Sequence, residues 1–250
     1  MRDKLYFITD AHLGSGLDTQ ERERDLCMLL DQIKQDAHTV VFLGDMFDFW
    51  FSYKHLVPKG HVRLLGKMAE LSDTGIALHY FVGNHDMWMF DYLTEQMNIV
   101  MHSEPATLIF DNKTFLVGHG DGVGKTDKKF NLLKSIFRNR FNQILFAALP
   151  SRLTFGIAHA WSEHSKTKHD NPTYLGDDKE DIVIYCKQQI AQRPIDYCVF
   201  GHRHNAIAKP LTEKSEYINV GDWLQHREYA VYSNGKMTLA TFNPEHKIPV

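Results

Sequence analysis

Short apolar runs alternate with amphipathic segments through the first hundred residues of the chain. The runs 5–9, 40–43 and 78–82 have the length and composition of strands, and the segments 21–34 and 62–71 place apolar residues at helical spacing. Such alternation is typical of parallel strands connected by helices. The first half of the chain is therefore predicted to fold as β-α-β-α-β.

The second half of the chain changes character, because its strand-like runs are joined by short turns. Residues 105–118 predict a hairpin around Asp111-Asn112-Lys113, and residues 229–242 predict another around Asn234-Gly235. Asn-Gly tolerates the positive φ angles that a tight hairpin turn requires. The expected fold class is α/β, with two sheets packed face to face as a sandwich and helices on the outside.

Polar blocks follow five of the strand-like runs, in chain order. They are Asp10-Ala11-His12, Gly44-Asp45-Met46-Phe47-Asp48, Gly83-Asn84-His85-Asp86, Gly118-His119-Gly120-Asp121 and Gly201-His202-Arg203-His204. Carboxylate, imidazole and amide groups at one edge of a sheet are hard and borderline ligands without a thiolate. Such a set suits manganese, iron or zinc better than copper(I). The blocks therefore predict a dinuclear metal site.

Each block also has a purely structural interpretation. A Gly-Asp pair after a strand can be a turn whose aspartate caps the next helix. Two histidines two residues apart can share one face of a strand without binding metal. The joint occurrence of all five blocks, in order and with glycine beside four of them, favours the metal site.

The composition is that of an ordinary globular protein, with 43% hydrophobic and 24% charged residues among 250. A net charge of −3 gives no overall attraction to nucleic acid. Apolar runs fall short of the roughly 20 residues of a membrane-spanning helix.

Cys27 and Cys198 lie at predicted apolar positions and are expected to be buried. Since the first strand leads directly to Asp10 and His12, we expect no cleaved signal and a cytoplasmic protein.

A segment of different composition lies between the fourth and fifth blocks. Residues 125–168 carry a net charge of +7, against −10 for the rest of the chain, and aliphatic and aromatic residues lie among the basic ones. A basic, apolar helical insertion is typical of a surface that meets anionic lipid or an amphiphilic substrate. The alternative is a helical subdomain with its own small core and a solvated basic rim. The pattern alone leaves both interpretations open.

Taken together, the five blocks resemble the motifs of the calcineurin-like metallophosphoesterase superfamily over nearly the whole chain. The resemblance implies one metallophosphoesterase domain over residues 1–250 and two divalent ions, with manganese favoured and iron or zinc as alternatives. It implies that Asp45 bridges the ions and that a shared hydroxide attacks the phosphorus. The first ion would be held by Asp10, His12, Asp45 and His204, and the second by Asp45, Asn84, His119 and His202.

The same resemblance implies a catalytic role for two residues that would not bind metal. His85 would lie beside the substrate and donate a hydrogen bond or a proton to the leaving oxygen. Asp86 would orient the imidazole of His85. Asp48 is expected to lie outside the set of metal ligands.

A narrower resemblance exists to the UDP-2,3-diacylglucosamine pyrophosphatases of lipid A biosynthesis. It rests on Asp10-Ala11-His12-Leu13, on the stretch from Leu43 to Trp50, on His119-Gly120-Asp121 with Thr126-Asp127, on Ala147-Ala148-Leu149-Pro150, on Ser165-Lys166 and on Gly221-Asp222-Trp223. The resemblance implies that a helical insertion, residues 125–175, is a lid over the acyl chains. It also implies a set of substrate contacts, namely Asn84, His85, Asp127, Ser165 and His202.

The implied reaction is hydrolysis of UDP-2,3-diacylglucosamine to UMP and 2,3-diacylglucosamine 1-phosphate. The implied location is the cytoplasmic face of the inner membrane, in peripheral contact with anionic lipid. The chain has His85 where the best-known branch has Arg, and it has His169 and Pro172 where that branch has Asn and Lys.

Other functions also fit parts of this sequence pattern. A general metallophosphodiesterase or nucleotide phosphatase would act on a soluble substrate and would share the metal site without needing a lid. A non-catalytic scaffold is a further alternative, although a scaffold would be expected to lose ligands and every ligand position is filled here.

Overall fold

The computed structural model describes residues 2–124, 128–150, 153–154, 156 and 174–244. The helices and strands in these ranges follow in this order: β1 (Lys4–Ile8), α1 (Thr19–Ile33), β2 (Ala37–Phe42), α2 (Val62–Asp73), β3 (Ala77–Phe81), α3 (Tyr92–Met97), β4 (Val100–His102), β5 (Ala106–Phe110), β6 (Lys113–Gly118), α4 (Lys128–Arg138), α5 (Arg140–Ala148), α6 (Asp181–Ile190), β7 (Tyr197–Phe200), β8 (Ile207–Pro210), β9 (Glu216–Asn219), β10 (Glu228–Ser233) and β11 (Lys236–Thr241).

The strands form two mixed sheets. The first has the order β11-β10-β1-β2-β3-β4, and the second has the order β5-β6-β7-β9-β8. Strands β1, β2 and β3 are parallel, and so are β6, β7 and β9. The predicted β-α-β-α-β arrangement of the first half is therefore confirmed, and so is the fold class of two sheets flanked by helices.

Both faces of the first sheet are covered, which explains its nearly continuous apolar strands. Leu5 and Phe7 on one face pack against residues of the second sheet such as Val117 and Val199. The opposite face, which includes Tyr6, lies in the core that contains the apolar residues of α1 and α2. The loops that carry the polar blocks after β1, β2 and β3 therefore begin at strands that are packed on both faces.

The two predicted hairpins are confirmed. Strands β5 and β6 pair with Phe110 opposite Lys113, so that Asp111 and Asn112 form the turn with φ angles of 50° and 57°. Strands β10 and β11 are joined in the same way by Asn234 and Gly235, with φ angles of 51° and 77°. Positive φ at both central residues is the geometry of the type I′ turn.

Part of the predicted insertion is described, and it contains the helices α4 and α5. The side chain of Asn139 accepts hydrogen bonds from the backbone amides of Phe141 and Asn142, so that it caps α5 and sets the bend after α4. The indole of Trp88 donates a hydrogen bond to the carbonyl oxygen of Phe137 at 2.9 Å, which fastens the end of α4 to the sandwich.

Two smaller expectations concern cysteines and membrane helices. Cys198 is buried as predicted, whereas Cys27 is only half-buried, because it lies on α1 beside the buried stripe of that helix rather than within it. Among the described residues, no helix is both long enough and apolar enough to cross a membrane.

Candidate metal centre

All seven predicted metal ligands lie at one edge of the two sheets. Asp10 and His12 follow β1, Asp45 follows β2, and Asn84 follows β3. The second sheet contributes the remaining ligands from the ends of two strands. His119 follows β6, and His202 and His204 follow β7. Because the carboxyl ends of parallel strands meet at the same edge of a sheet, residues almost 200 positions apart in the chain become neighbours here.

The ligand atoms fall into two groups, with Asp45 between them. In the first group, which contains Asp10, His12 and His204, the ligand atoms lie within 4.8 Å of one another, and His204 Nε2 is 3.2 Å from Asp10 Oδ1. In the second group, Asp45, His119 and His202 are equally close, and His119 Nε2 is 3.2 Å from Asp45 Oδ2.

Two further contacts complete this arrangement. The same Asp45 oxygen is 3.9 Å from His12 Nε2, which belongs to the first group. Asn84 Oδ1 is 3.3 Å from His119 Nε2 in the second group. The geometry therefore provides two adjacent ligand sets with one carboxylate in common.

The unsatisfied atoms of the centre fit a bound cation. Within the described part of the chain, Asp10 Oδ1 and both ring nitrogens of His12 are buried without a hydrogen-bond partner. Such an atom costs about 1–3 kcal/mol if it stays unpaired. A divalent ion bound by oxygen and nitrogen atoms would satisfy Asp10 Oδ1 and one ring nitrogen of His12, and the donor set suits manganese, iron or zinc.

The backbone around the ligands is strained. Asp10, Asp45 and His12 have φ angles of 52°, 52° and 43°, and His202 and His204 have φ angles of 68° and 47°. Left-handed backbone is uncommon for residues other than glycine, and it collects at functional sites where the surrounding structure enforces it.

Two glycines beside the ligands are required by close approach. A Cβ atom on Gly83 would lie 2.1 Å from Asp45 Oδ1, and a Cβ atom on Gly201 would lie 2.1 Å from Thr9 Oγ1. Gly83 therefore leaves room for the side chain of Asp45, and Gly201 leaves room for the side chains of Thr9 and Asp10.

Opposite charges shift the pKa values at the centre. Burial would raise the pKa of Asp45, but the imidazoles of His119 and His85 hold that pKa well below its usual value. Burial would lower the pKa of His119, but the carboxylates of Asp45 and Asp10 raise it to about 10. The pKa of His12 is raised to about 9 against the effect of burial, by the carboxylates around it. The centre therefore attracts positive charge, as protons or as metal ions.

His85 lies at the side of the first group. Its ring is 4.7 Å from that of His12, and its backbone amide donates a hydrogen bond to Asp45 Oδ1 at 2.8 Å. His85 Nδ1 donates a hydrogen bond to the carbonyl oxygen of Asp48 at 3.1 Å, and it is 3.8 Å from the Asp48 carboxylate. Burial lowers the pKa of His85.

The prediction that Asp86 orients His85 is wrong. The Asp86 carboxylate is buried and accepts hydrogen bonds from the backbone amides of Gly83 and Met46 and from the hydroxyl of Tyr80. It thereby holds the loops after β2 and β3 together, and the residue beside His85 is Asp48 instead. Asp48 Oδ1 is also 3.6 Å from His12 Nδ1. The sequence feature that could have indicated the contact of Asp48 with His85 is the second aspartate of the block Gly44-Asp45-Met46-Phe47-Asp48.

Lys134 is another residue that the sequence did not single out. Its ammonium group is 2.7 Å from the carboxylate of Asp121 and donates a hydrogen bond to the Asp121 carbonyl oxygen at 3.0 Å. Because Asp121 is two residues after His119, this pair connects α4 to a metal-ligand loop. Within the basic segment, the sequence offered no signal that distinguished Lys134 from its neighbours.

The predicted substrate contacts are only partly within the described residues. Asn84, His85 and His202 all lie at the centre, as the distances above show. Asp127 and Ser165 lie outside the described residues.

A family profile, two curated relatives and one solved structure are similar to this chain. The profile of the calcineurin-like phosphoesterase family matches residues 4–206. A UDP-2,3-diacylglucosamine hydrolase of Porphyromonas gingivalis is 36% identical over 96% of this chain and 97% of its own length. A UDP-2,3-diacylglucosamine hydrolase of Shewanella is 24% identical over 92% of this chain and 94% of its own length. Among solved structures, the chain is similar to Yfce, a phosphoesterase from E. coli, with 14% identity, coverage of 96% and 100% of the two chains and a TM-score of 0.45.

Proposed function

Because the chain belongs to the calcineurin-like phosphoesterase family, we propose that it is a metal-dependent hydrolase that cleaves the pyrophosphate bond of UDP-2,3-diacylglucosamine. The products would be UMP and 2,3-diacylglucosamine 1-phosphate. The observation that carries the proposal is the convergence of seven metal-type ligands on two adjacent sets that share Asp45. The whole chain, residues 1–250, would form one catalytic domain.

The ligand sets would hold two divalent ions, for which we propose Mn²⁺. One ion would be held by Asp10, His12, Asp45 and His204, and the other by Asp45, Asn84, His119 and His202. Such a pair of ions lowers the pKa of a bound water molecule to near neutrality, and it neutralises negative charge on a phosphoryl group.

The protein residues around the ions would orient the substrate and move a proton. The hydrogen bond from His85 Nδ1 to the Asp48 carbonyl oxygen fixes the ring, and leaves Nε2 as the atom that exchanges a proton with the leaving oxygen. Asn84 and His202 would contact the phosphate groups from the opposite loops. Asp127 and Ser165 would contact the glucosamine 1-phosphate portion.

Residues 125–175, the lid segment, would cover the acyl chains. The described helices support this role, because α5 has no buried residue and most of its apolar side chains are exposed. The exposed apolar side chains in this part of the chain include Leu132, Ile136, Phe141, Ile144, Leu145, Leu149 and Leu153. The excess of basic residues in the segment would rest on anionic lipid, so that the protein would contact the cytoplasmic face of the membrane peripherally.

The decisive experiment is hydrolysis of UDP-2,3-diacylglucosamine in detergent micelles by the Mn²⁺-loaded protein, with UMP measured as product. We expect turnover that stops with a chelator and returns with Mn²⁺. The matched control is a small soluble diester, bis(p-nitrophenyl) phosphate, which tests the metal centre without the lid segment. Hydrolysis of the diester without release of UMP would favour the soluble-substrate alternative. Failure on both substrates, with metal bound, would favour a scaffold.

A further inference from the structure

Arg22 is a cation enclosed by the loop that carries Asp10 and His12. Its side chain lies on α1 and is only 1% exposed. The guanidinium donates hydrogen bonds to the carbonyl oxygens of Ala11 at 3.3 Å and of His12 at 3.2 Å, and also to that of Ser15. Asp18 provides the opposite charge. A guanidinium offers five donors in a fixed plane, which is why one side chain can bind several carbonyl oxygens of a loop.

Trp223 approaches the same loop from the far end of the chain. Its backbone amide donates a hydrogen bond to the carbonyl oxygen of Thr9 at 3.1 Å, and the amide of Leu224 donates to that of Asp10 at 3.0 Å. The indole of Trp223 is fully buried and donates to the carbonyl oxygen of Arg22 at 3.1 Å. The Gly221-Asp222-Trp223 stretch, which is part of the narrower family resemblance, thus contacts the loop that carries Asp10 and His12.

Arg22, Trp223 and the backbone amide of Leu224 together satisfy four consecutive carbonyl oxygens, those of residues 9–12. The amides on the other side of the loop are fixed by the neighbouring ligand loop, since Asp10 N donates to the Gly44 oxygen at 3.1 Å and His12 N to the Asp45 oxygen at 2.9 Å. Left-handed backbone at Asp10 and His12 is costly and persists only where the surroundings enforce it. The clamp formed by Arg22 and Trp223 provides that enforcement.

We propose that Arg22 and Trp223 are positioning residues that set the affinity of the centre for one of its two ions, the one held by Asp10, His12 and His204. This inference rests on the proposed metal centre. The clamp's hydrogen bonds go to the loop after β1, whereas Asn84 and His119 follow β3 and β6. Loss of the clamp should therefore weaken binding of the first ion more than binding of the second.

Titration of metal-stripped protein with Mn²⁺ by isothermal titration calorimetry tests the inference. In Arg22→Lys the charge beside Asp18 is kept, but a single ammonium group cannot reach the three carbonyl oxygens in the same planar arrangement. Loss of a partner that orients a metal ligand weakens metal binding by about 10- to 100-fold. In Arg22→Lys we expect the dissociation constant of the ion held by Asp10, His12 and His204 to rise by about that factor, with little change for the other ion. The control is Arg24→Lys, because Arg24 is exposed on the same helix.

A second variant and a second measurement separate positioning from folding. Trp223→Phe keeps both backbone donors but loses the hydrogen bond to the Arg22 carbonyl oxygen and part of the buried ring. We expect the dissociation constant of the same ion to rise by a smaller factor, of a few-fold. The Mn²⁺ concentration that half-saturates turnover should rise by the same factors, while KM for substrate stays constant and saturating Mn²⁺ restores the rate.

Two results would overturn the proposal for Arg22 and Trp223. Wild-type affinities in both variants would show that the clamp does not act on the metal, and equal weakening of both ions would show a general structural role. If the wild-type protein itself bound fewer than two Mn²⁺ ions, the proposed metal centre would be refuted, and the inference about the clamp would be refuted with it.

Discussion

Phe146 is the residue on which the docking of α5 depends, and its replacement by serine should separate lid closure from metal chemistry. Its ring lies 4.8 Å from that of Trp88, 5.2 Å from that of Phe51 and 6.4 Å from that of Phe49. Each aromatic pair contributes about 0.5–1.5 kcal/mol beyond its buried area. The three contacts together suggest a loss of about 2–3 kcal/mol, which is roughly a 30- to 150-fold change in the docking equilibrium.

The matched control is Phe141→Ser, because Phe141 is on the same helix but 67% exposed. Hydrogen exchange of the α5 amides should accelerate by about the calculated factor in Phe146→Ser and stay unchanged in Phe141→Ser. Both variants should raise KM for a diacylated substrate, and both should hydrolyse bis(p-nitrophenyl) phosphate at nearly the wild-type rate. Unchanged exchange in Phe146→Ser would refute the packing argument, and equal losses on both substrates would refute the lid.

Further predictions concern the metal centre itself. Asp45→Ala should abolish turnover and remove at least one metal ion, whereas Asp48→Ala should keep its metal and lose less activity; elemental analysis that finds equal metal in Asp45→Ala and wild type would contradict the shared-ligand assignment. His85→Ala should lower kcat by roughly 10²–10⁴-fold with both ions retained, and full activity would exclude His85 from the reaction. Because carboxylates raise the pKa of His12 to about 9 and that of His119 to about 10, both rings are protonated near pH 7 without metal. Metal uptake should then release protons and strengthen as the pH rises towards those values. Calorimetry in buffers of different ionisation enthalpy measures this release, and its absence at pH 7 would contradict the assigned protonation.

The strands and the ligand loops could be predicted because they leave regular marks in the sequence. A strand buried on both faces, such as β1 or β2, is a short apolar run with little alternation. The ligands follow such runs directly, and glycine stands where a neighbouring loop comes too close for a side chain, as at Gly83. The type I′ turns are equally local, since their conformation depends on the two central residues.

Partners within the centre could not be predicted, because they depend on the path of the loops in three dimensions. His85 and Asp86 are adjacent in sequence, yet Asp86 points towards Tyr80 and His85 towards Asp48. Arg22 lies in the alternating charged stretch Glu21-Arg22-Glu23-Arg24, which is typical of a solvated helix surface. It is buried only because the loop after β1 folds over it, and no sequence periodicity records that contact.

The contacts of Trp223 and Leu224 with the first ligand loop also affect how the site matures during protein synthesis. A growing chain that has reached His204 contains every proposed metal ligand, but it lacks the amides that hold Thr9 and Asp10. It also lacks β10, which flanks β1 in the first sheet. We therefore expect the centre to bind metal tightly only after residues 223–233 have been synthesised and have folded against β1 and the loop that follows it.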